Sequence, residues 1–303
     1  MHIWLQAAIY LVTIALGYLL KKLGVFQKEN RDVFANAVFY LTLPALIVSS
    51  FDQVQITLWF MVALGAGLFC NLFCLLMAAV FSRKKKPEIR GIYLINTPGY
   101  NVGNITIPFL QSFYPAGIPY LCMFDAGDSI FTLGTTYSIA KTLLNKKDLS
   151  IGRRLLDIFR SLLGSIPFVA YLAMTVLSIV GLSLPSPVIE LAGFIGKANA
   201  PLVMLMLGIS FELHINKEEL VDILSILGLR VGCSVLLFAA IVWLLPGPPI
   251  MKQVLSVSVF SAIPNACLIY SNKFNAATSV ASTLNPLSIL LSILLMSLAM
   301  SLV

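Results

Sequence analysis

Apolar stretches of about the 20 residues needed to cross a bilayer recur along the whole chain, separated by short polar breaks. Ten can be delimited, near residues 3–20, 33–51, 57–81, 91–111, 117–141, 160–182, 188–210, 220–245, 251–271 and 276–302. Lipid offers no water to backbone N–H and C=O groups, so segments of this length cross it as helices. With 59% hydrophobic residues, 11% charged ones and a mean hydropathy of +0.94, the chain is too apolar for a soluble domain. The expectation is an all-α membrane protein of ten transmembrane helices.

The charges orient those spans. Lys21, Lys22, Lys28 and Arg31 follow the first, and Arg83 to Lys86 with Arg90 follow the third. Lys146, Lys147, Arg153, Arg154 and Arg160 surround the join of the fifth and sixth. Basic residues beside spans are retained on the cytoplasmic side, and ten spans put all these loops on one side. The opposite loops, 52–55, 114–119, 181–187 and 246–252, hold one Lys and no Arg. A multi-pass protein of an inner or plasma membrane follows, with both termini outside. The net charge of +7 comes largely from the basic loops and calls for no nucleic acid partner. The opening MHIWLQAAIYLVTIALGYLLKK carries its positive charges after the apolar run, so it reads as a retained span rather than a signal peptide.

Cys70, Cys74, Cys122, Cys233 and Cys267 all fall inside spans, odd in number and without a C-x-x-C, which speaks against a disulfide framework. His2 and His214 are the only histidines, so no zinc-site spacing exists. No metal site and no cofactor are expected, beyond H+ or Na+ as a coupling ion.

The prolines suggest an internal repeat. Pro44 and Pro108 lie 64 residues apart, and Pro201 and Pro264 lie 63 apart. LTLPALIVSSFD around Pro44 and NAPLVMLMLGISFE around Pro201 each place a Pro early in an apolar run and an acid at its end. Five spans per unit is an odd number, so the second unit enters the membrane inverted. Residues 1–143 form the first five-helix repeat, 144–157 a cytoplasmic linker, and 158–303 the second, inverted repeat. Inverted repeats with matching interrupted spans mark secondary transporters.

The interruptions themselves read INTPGYNVGNITIPF (95–109) and SAIPNACLIYSN (261–272). Pro removes a backbone donor and clashes with the preceding turn, so both segments should unwind near mid-membrane, enclosed by protein or water. Two such breaks crossing each other would present half-helix ends to one cavity, and half-helix N-termini suit an anion. Asn96, Asn101, Asn104 and Thr106 from one break and Asn265 from the other would supply neutral donors and acceptors. The plainer alternative is a Pro-kinked helix whose Asn side chains replace lost backbone bonds.

Three further features lie within spans. Asp125 and Asp128 in CMFDAGDS share a helix face, with Thr132 and Thr135 extending the stripe. Intramembrane acids are costly and usually functional, which points to ion or proton coupling; Arg230 in the eighth span offers the other reading, a buried ion pair. Lys197 in the seventh span either draws an anion toward the cavity or snorkels and pairs with Glu190. Thr278, Ser282, Asn285 and Ser292 form a polar seam in the tenth span of the kind that packs helices together, with Asn285 before Pro286 its least easily dismissed member.

At these residues the chain resembles the auxin efflux carrier family, which includes plant PIN carriers and bacterial transporters of malonate and other organic acids. Asn101-Val-Gly-Asn-Ile-Thr-Ile-Pro108 is similar to the fourth-span pattern N-T-G-x-x-G-x-P, from which Val102 and Thr106 depart. LPAL at 43–46, APLVMLMLG at 200–208 and Ala262-Ile-Pro264 resemble the second-, seventh- and ninth-span motifs. The resemblance implies a ten-span fold similar to bile acid sodium symporters and sodium/proton antiporters. Spans one, two, six and seven would form a scaffold. Spans three to five and eight to ten would form a transport domain, with its two broken helices crossing at Pro108 and Pro264. It also implies carboxylate substrates, admits a homodimer, and supports an Asp at 125, whereas Asn is commoner at the position of Asp128.

Two other classes compete. Intramembrane prenyltransferases use Asp-rich motifs to hold diphosphate through Mg²⁺, but need two acidic clusters. Asp125 and Asp128 make one, and Glu218, Glu219 and Asp222 read as a solvated helix start. A receptor of seven spans would leave three of the ten unexplained, and paired broken helices favour alternating access over a static pore. The reading is a secondary carrier of small organic anions. Its substrate site would comprise Asn101, Asn104, Pro108, Pro264, Asn265 and Asn285, and its coupling group Asp125, Asp128 and Arg230.

Overall fold

The computed structural model describes residues 3–27, 29–51, 54–132, 136, 160, 163–212, 219–272 and 278–303. The linker expected at 144–157, together with His2, Thr135, His214 and Glu218, lies outside the described residues. Among the described residues all regular structure is helical. The chain runs through α1 (Ile3–Lys22), α2 (Asn30–Ser50), α3 (Leu58–Phe81), α4 (Pro87–Asn96), α5 (Ile107–Leu110), α6 (Ile118–Ile130) and α7 (Ile166–Val180). There follow α8 (Ser186–Gly196), α9 (Asn199–Ser210), α10 (Leu220–Leu244), α11 (Pro249–Ser258), α12 (Asn265–Asn272) and α13 (Thr278–Met300).

Six described segments are long and apolar enough to cross a membrane: α1, α2, α3, the α8–α9 pair over Ser186–Ser210, α10, and Val280–Met300 within α13. The expected fourth and ninth spans are not continuous helices. Each is a short helix, a break and a second short helix, α4 and α5 in one case, α11 and α12 in the other.

Local sequence accounts for these boundaries. Pro87, Pro167, Pro187 and Pro249 each sit in the first turn of a helix, where the missing N–H would have had no partner. Gly181 closes α7 at φ 74°, a left-handed cap that glycine adopts without strain. Pro44 and Pro201 each follow an irregularity: the helix widens over Val38–Thr42, and α8 gives way to α9 at Lys197–Ala198. Thr42 Oγ1 donates to Asn199 Oδ1 (3.0 Å), joining the two.

Packing groups most helices into two sets, which meet where α1 packs on α13 and the end of α2 on α6. In one, α1 packs along α9, and the end of α2 packs on α7 and α8. In the other, α3 packs along α6, α10 on α11 and α13, and α12 on α4 and α13. The closest approaches use glycine: a Cβ on Gly67 of α3 would collide with the Phe124 carbonyl, and one on Gly127 of α6 with that of Leu64. Gly17 of α1 and Gly208 of α9 repeat the device. Lipid supplies no hydrophobic drive between apolar helices, so such backbone contact is what holds them together. Within the second set the order long helix, ten-residue helix, break, short helix, helix occurs twice, at α3–α6 and at α10–α13.

Candidate functional site

The two breaks meet. Residues 97–101 form the first and 259–264 the second, and the Asn101 N–H donates to the Ala262 carbonyl (3.0 Å). Gly99 takes φ 88°, and a Cβ there would sit 3.0 Å from the Pro264 ring, so this position needs glycine for both its conformation and its space. The unwound part is shorter than the whole Pro-containing motif, and Pro108 lies beyond it. The chain resumes at Val102–Thr106 as a widened turn, with the Thr106 N–H reaching back five residues to Asn101, and Pro108 stands in the first turn of α5. The widened turn just before it accommodates the N–H that the proline lacks.

Backbone groups freed in the first break are taken up by side chains. Gly99 N–H donates to Asn71 Oδ1 (2.7 Å) and Tyr100 N–H to Asp128 Oδ1 (2.9 Å). Asn71 Nδ2 and Thr132 Oγ1 also donate to the Asp128 carboxylate, each at 2.9 Å. Asp128 thus faces three donors. The second break is served by neutral groups: Ile263 N–H donates to Ser288 Oγ (3.1 Å), Asn285 Nδ2 to the Ile263 carbonyl (2.9 Å), and Ser234 Oγ to that of Val259.

Arg230 serves both. Its side chain is buried, 5% exposed, and donates to the carbonyls of Thr97 (2.6 Å), Gly99 (2.5 Å), Ser261 (2.9 Å) and Ala262 (3.2 Å). The ion pair that would have joined it to Asp125 or Asp128 does not occur among the described residues. A carbonyl cluster left open by two helix ends takes the guanidinium instead.

A cavity of about 470 Å³ lies beside the junction. Asn101, Asn104, Asp125, Asp128, Pro264 and Asn265 all line it, so six of the expected site residues are brought together. The Asn101 Nδ2 is buried and has no hydrogen-bond partner, in a residue 6% exposed. Asp125 accepts from the Tyr171 hydroxyl of α7 (2.8 Å), a bond between the two packing sets. Pro108 is buried away from the cavity, its carbonyl accepting from Tyr10 of α1 (2.9 Å). Asn285 lines an adjoining cavity of about 280 Å³, which shares Arg31, Met206 and Asn265 with the first. Asn96 ties α4 to Ser271 of α12 and is not a lining residue. Lys197 lines a third cavity, with Gln111 and Ser49, and makes no ion pair with Glu190 among the described residues.

Residues not expected at the site are Arg31, Asn71, Phe168 and Tyr171. Arg31 is the one cation among the described lining residues of the main cavity, and Phe168 and Tyr171 give it an aromatic wall. Asn71 carried a readable signal, a lone amide within the apolar run LFCNLFC. Arg31 was hidden among basic loop residues, and nothing in the sequence separates Tyr171 from any other span tyrosine.

An uncharacterized transporter of Methanocaldococcus jannaschii is 22% identical over 215 residues, covering 67% of each chain. Residues 2–152, about half of the chain, match the family described as Membrane transport protein. By that match the chain belongs to the membrane transport protein family, the auxin efflux carriers, and is a membrane transporter.

Proposed function

We propose that the protein is a secondary carrier of small organic anions, working by alternating access around the cavity where the two breaks meet. The observation that carries this is the Asn101 amide, buried on the cavity wall with its Nδ2 unpartnered. A buried donor left unmade is costly unless a ligand completes it. The ligand it suits is an acceptor. Val102 and Asn265, where the helices resume, line the same wall, and Arg31 adds the cation. A carboxylate fits that set of donors.

The repeated order of elements supports the 5+5 inverted repeat, with residues 1–143 and 158–303 as its units and the breaks crossing between them. The two packing sets supply a scaffold and a transport domain. Few polar bonds join them, chiefly Tyr171 to Asp125, Tyr10 to the Pro108 carbonyl and Asn199 to Gln111, so one set can shift against the other by breaking a handful of contacts. On this reading Asp125 is the better placed coupling acid, because its partner lies across the boundary that must move. Asp128 is committed to holding the first break. The basic loops put both termini outside an inner or plasma membrane, and a homodimer is compatible with this arrangement.

Purified protein in proteoliposomes tests the reading. A panel of mono- and dicarboxylates, including indole acids, is offered with and without H+ and Na+ gradients, and both charge movement and isotope counterflow are followed. The expected result is saturable uptake that falls about tenfold or more in Asn101→Ala, the loss of one hydrogen bond to a charged ligand. Silence in both assays for every acid would end the carboxylate reading.

A further inference from the structure

We propose that Arg230 is a resident cation, filling the carbonyl cluster at the junction of the breaks so that no Na+ binds there and the carrier does not use Na+ at that place. The inference rests on the carrier reading above and goes beyond it, to the coupling ion.

The argument begins with the helix ends. α4 and α11 are each ten residues long and both stop at a break, so their last carbonyls lack the next turn's N–H donors and carry the negative ends of two helix dipoles. Both ends converge on one point. The carbonyls of Thr97, Gly99, Ser261 and Ala262 lie within 3.2 Å of the two Arg230 terminal nitrogens, and those of Asn96 and Pro98 lie at 3.4 Å. Carbonyls from unwound segments and half-helix C-termini are the ligands that carriers with broken helices offer to a coupling cation. Here a side chain takes them.

The choice of side chain matters. A guanidinium is charged at every accessible pH, and its planar fork spreads several N–H groups over acceptors from two separate segments. The Tyr100 ring covers it, 5.3 Å from Cζ. A lysine ammonium is a point charge with three donors and reaches fewer of these carbonyls. Because the negative helix ends are neutralised from within, the resuming ends at Val102 and Asn265 are left to face the cavity, and the site keeps its preference for anions without a metal ion.

Thermal unfolding of the detergent-purified protein in NaCl against choline chloride at equal ionic strength tests this without substrate, together with direct binding of radioactive Na+. Failure of the carboxylate reading would appear only in the uptake assays, so the two are separable. The expected result is that wild type shows no Na+-specific shift and binds no Na+. Arg230→Ala should unfold roughly 5 °C or more lower and regain part of that shift with methylguanidinium but not with tetramethylammonium. Arg230→Lys should fall between the two. Saturable binding of Na+ by wild type would overturn the proposal, as would an Arg230→Ala protein that methylguanidinium stabilises no more than wild type. If neither variant can be purified, Na+ binding to wild type decides it alone.

Discussion

The two breaks solve one problem with different chemistry. Each exposes backbone donors and acceptors where lipid offers nothing, and each gives its C-terminal carbonyls to Arg230. Their N–H groups diverge: the first break places Gly99 and Tyr100 on an amide oxygen and a carboxylate, the second places Ile263 on a serine hydroxyl. A carboxylate accepts several bonds at once, and Asp128 uses that capacity to bind the break to α3 and α6 together. Neutral partners on α10 and α13 hold the second break through separate single bonds. The lesson is that the first break is built as one network and the second as independent contacts, so loss of a single residue should spread further in the first.

Removing the shared element should have the largest effect. Arg230→Ala orphans carbonyls of both breaks and is expected to cost about 3–5 kcal/mol, with hydrogen exchange rising at 97–101 and 259–264 alike. Asp128→Ala comes next, at about 2–4 kcal/mol, because the Tyr100 N–H and the Asn71 amide lose their acceptor together. Exchange should then rise around 97–101 and stay unchanged around 259–264. A rise at both would show the breaks to be one cooperative unit.

Asn285→Ala removes one neutral bond to the Ile263 carbonyl and should cost about 1 kcal/mol, confined to the second break. Denaturant unfolding in detergent ranks these three variants. Asn101→Ala, by contrast, removes a side chain whose amide nitrogen bonds to nothing, so its stability should stay within about 0.5 kcal/mol of wild type while uptake falls. The smallest effect is expected at Lys85→Ala, where the 2.7 Å pair with Asp222 is partly exposed and contributes about 0.5 kcal/mol or less.

Much of this is legible in the sequence. Apolar runs placed the long helices within a few residues, the Pro- and Gly-bearing motifs placed both breaks, and Asn101, Asn104, Pro264 and Asn265 line one cavity, with Asp125 and Asp128 beside them. Pro108 and Arg230 stand elsewhere than the sequence suggests, for identifiable reasons. Pro108 stands inside the helical run 102–110 rather than at the junction, because a proline that a wide turn accommodates looks the same in sequence as one that unwinds a helix. Arg230 binds carbonyls rather than an acid, because sequence shows the charges of side chains and not the backbone groups that two distant helix ends leave open.

The sequence by itself determined that the chain is a bundle of membrane helices interrupted at two Pro-bearing segments, since hydropathy, proline and glycine act over a few residues and need no partner. Only the tertiary structure decided which side chains answer those interruptions. Asn71 is 28 residues from Gly99, Arg230 is more than a hundred from Thr97, and Tyr171 is 46 from Asp125. A freed backbone group accepts any suitable partner that packing brings within reach, and that choice is made in space rather than along the chain.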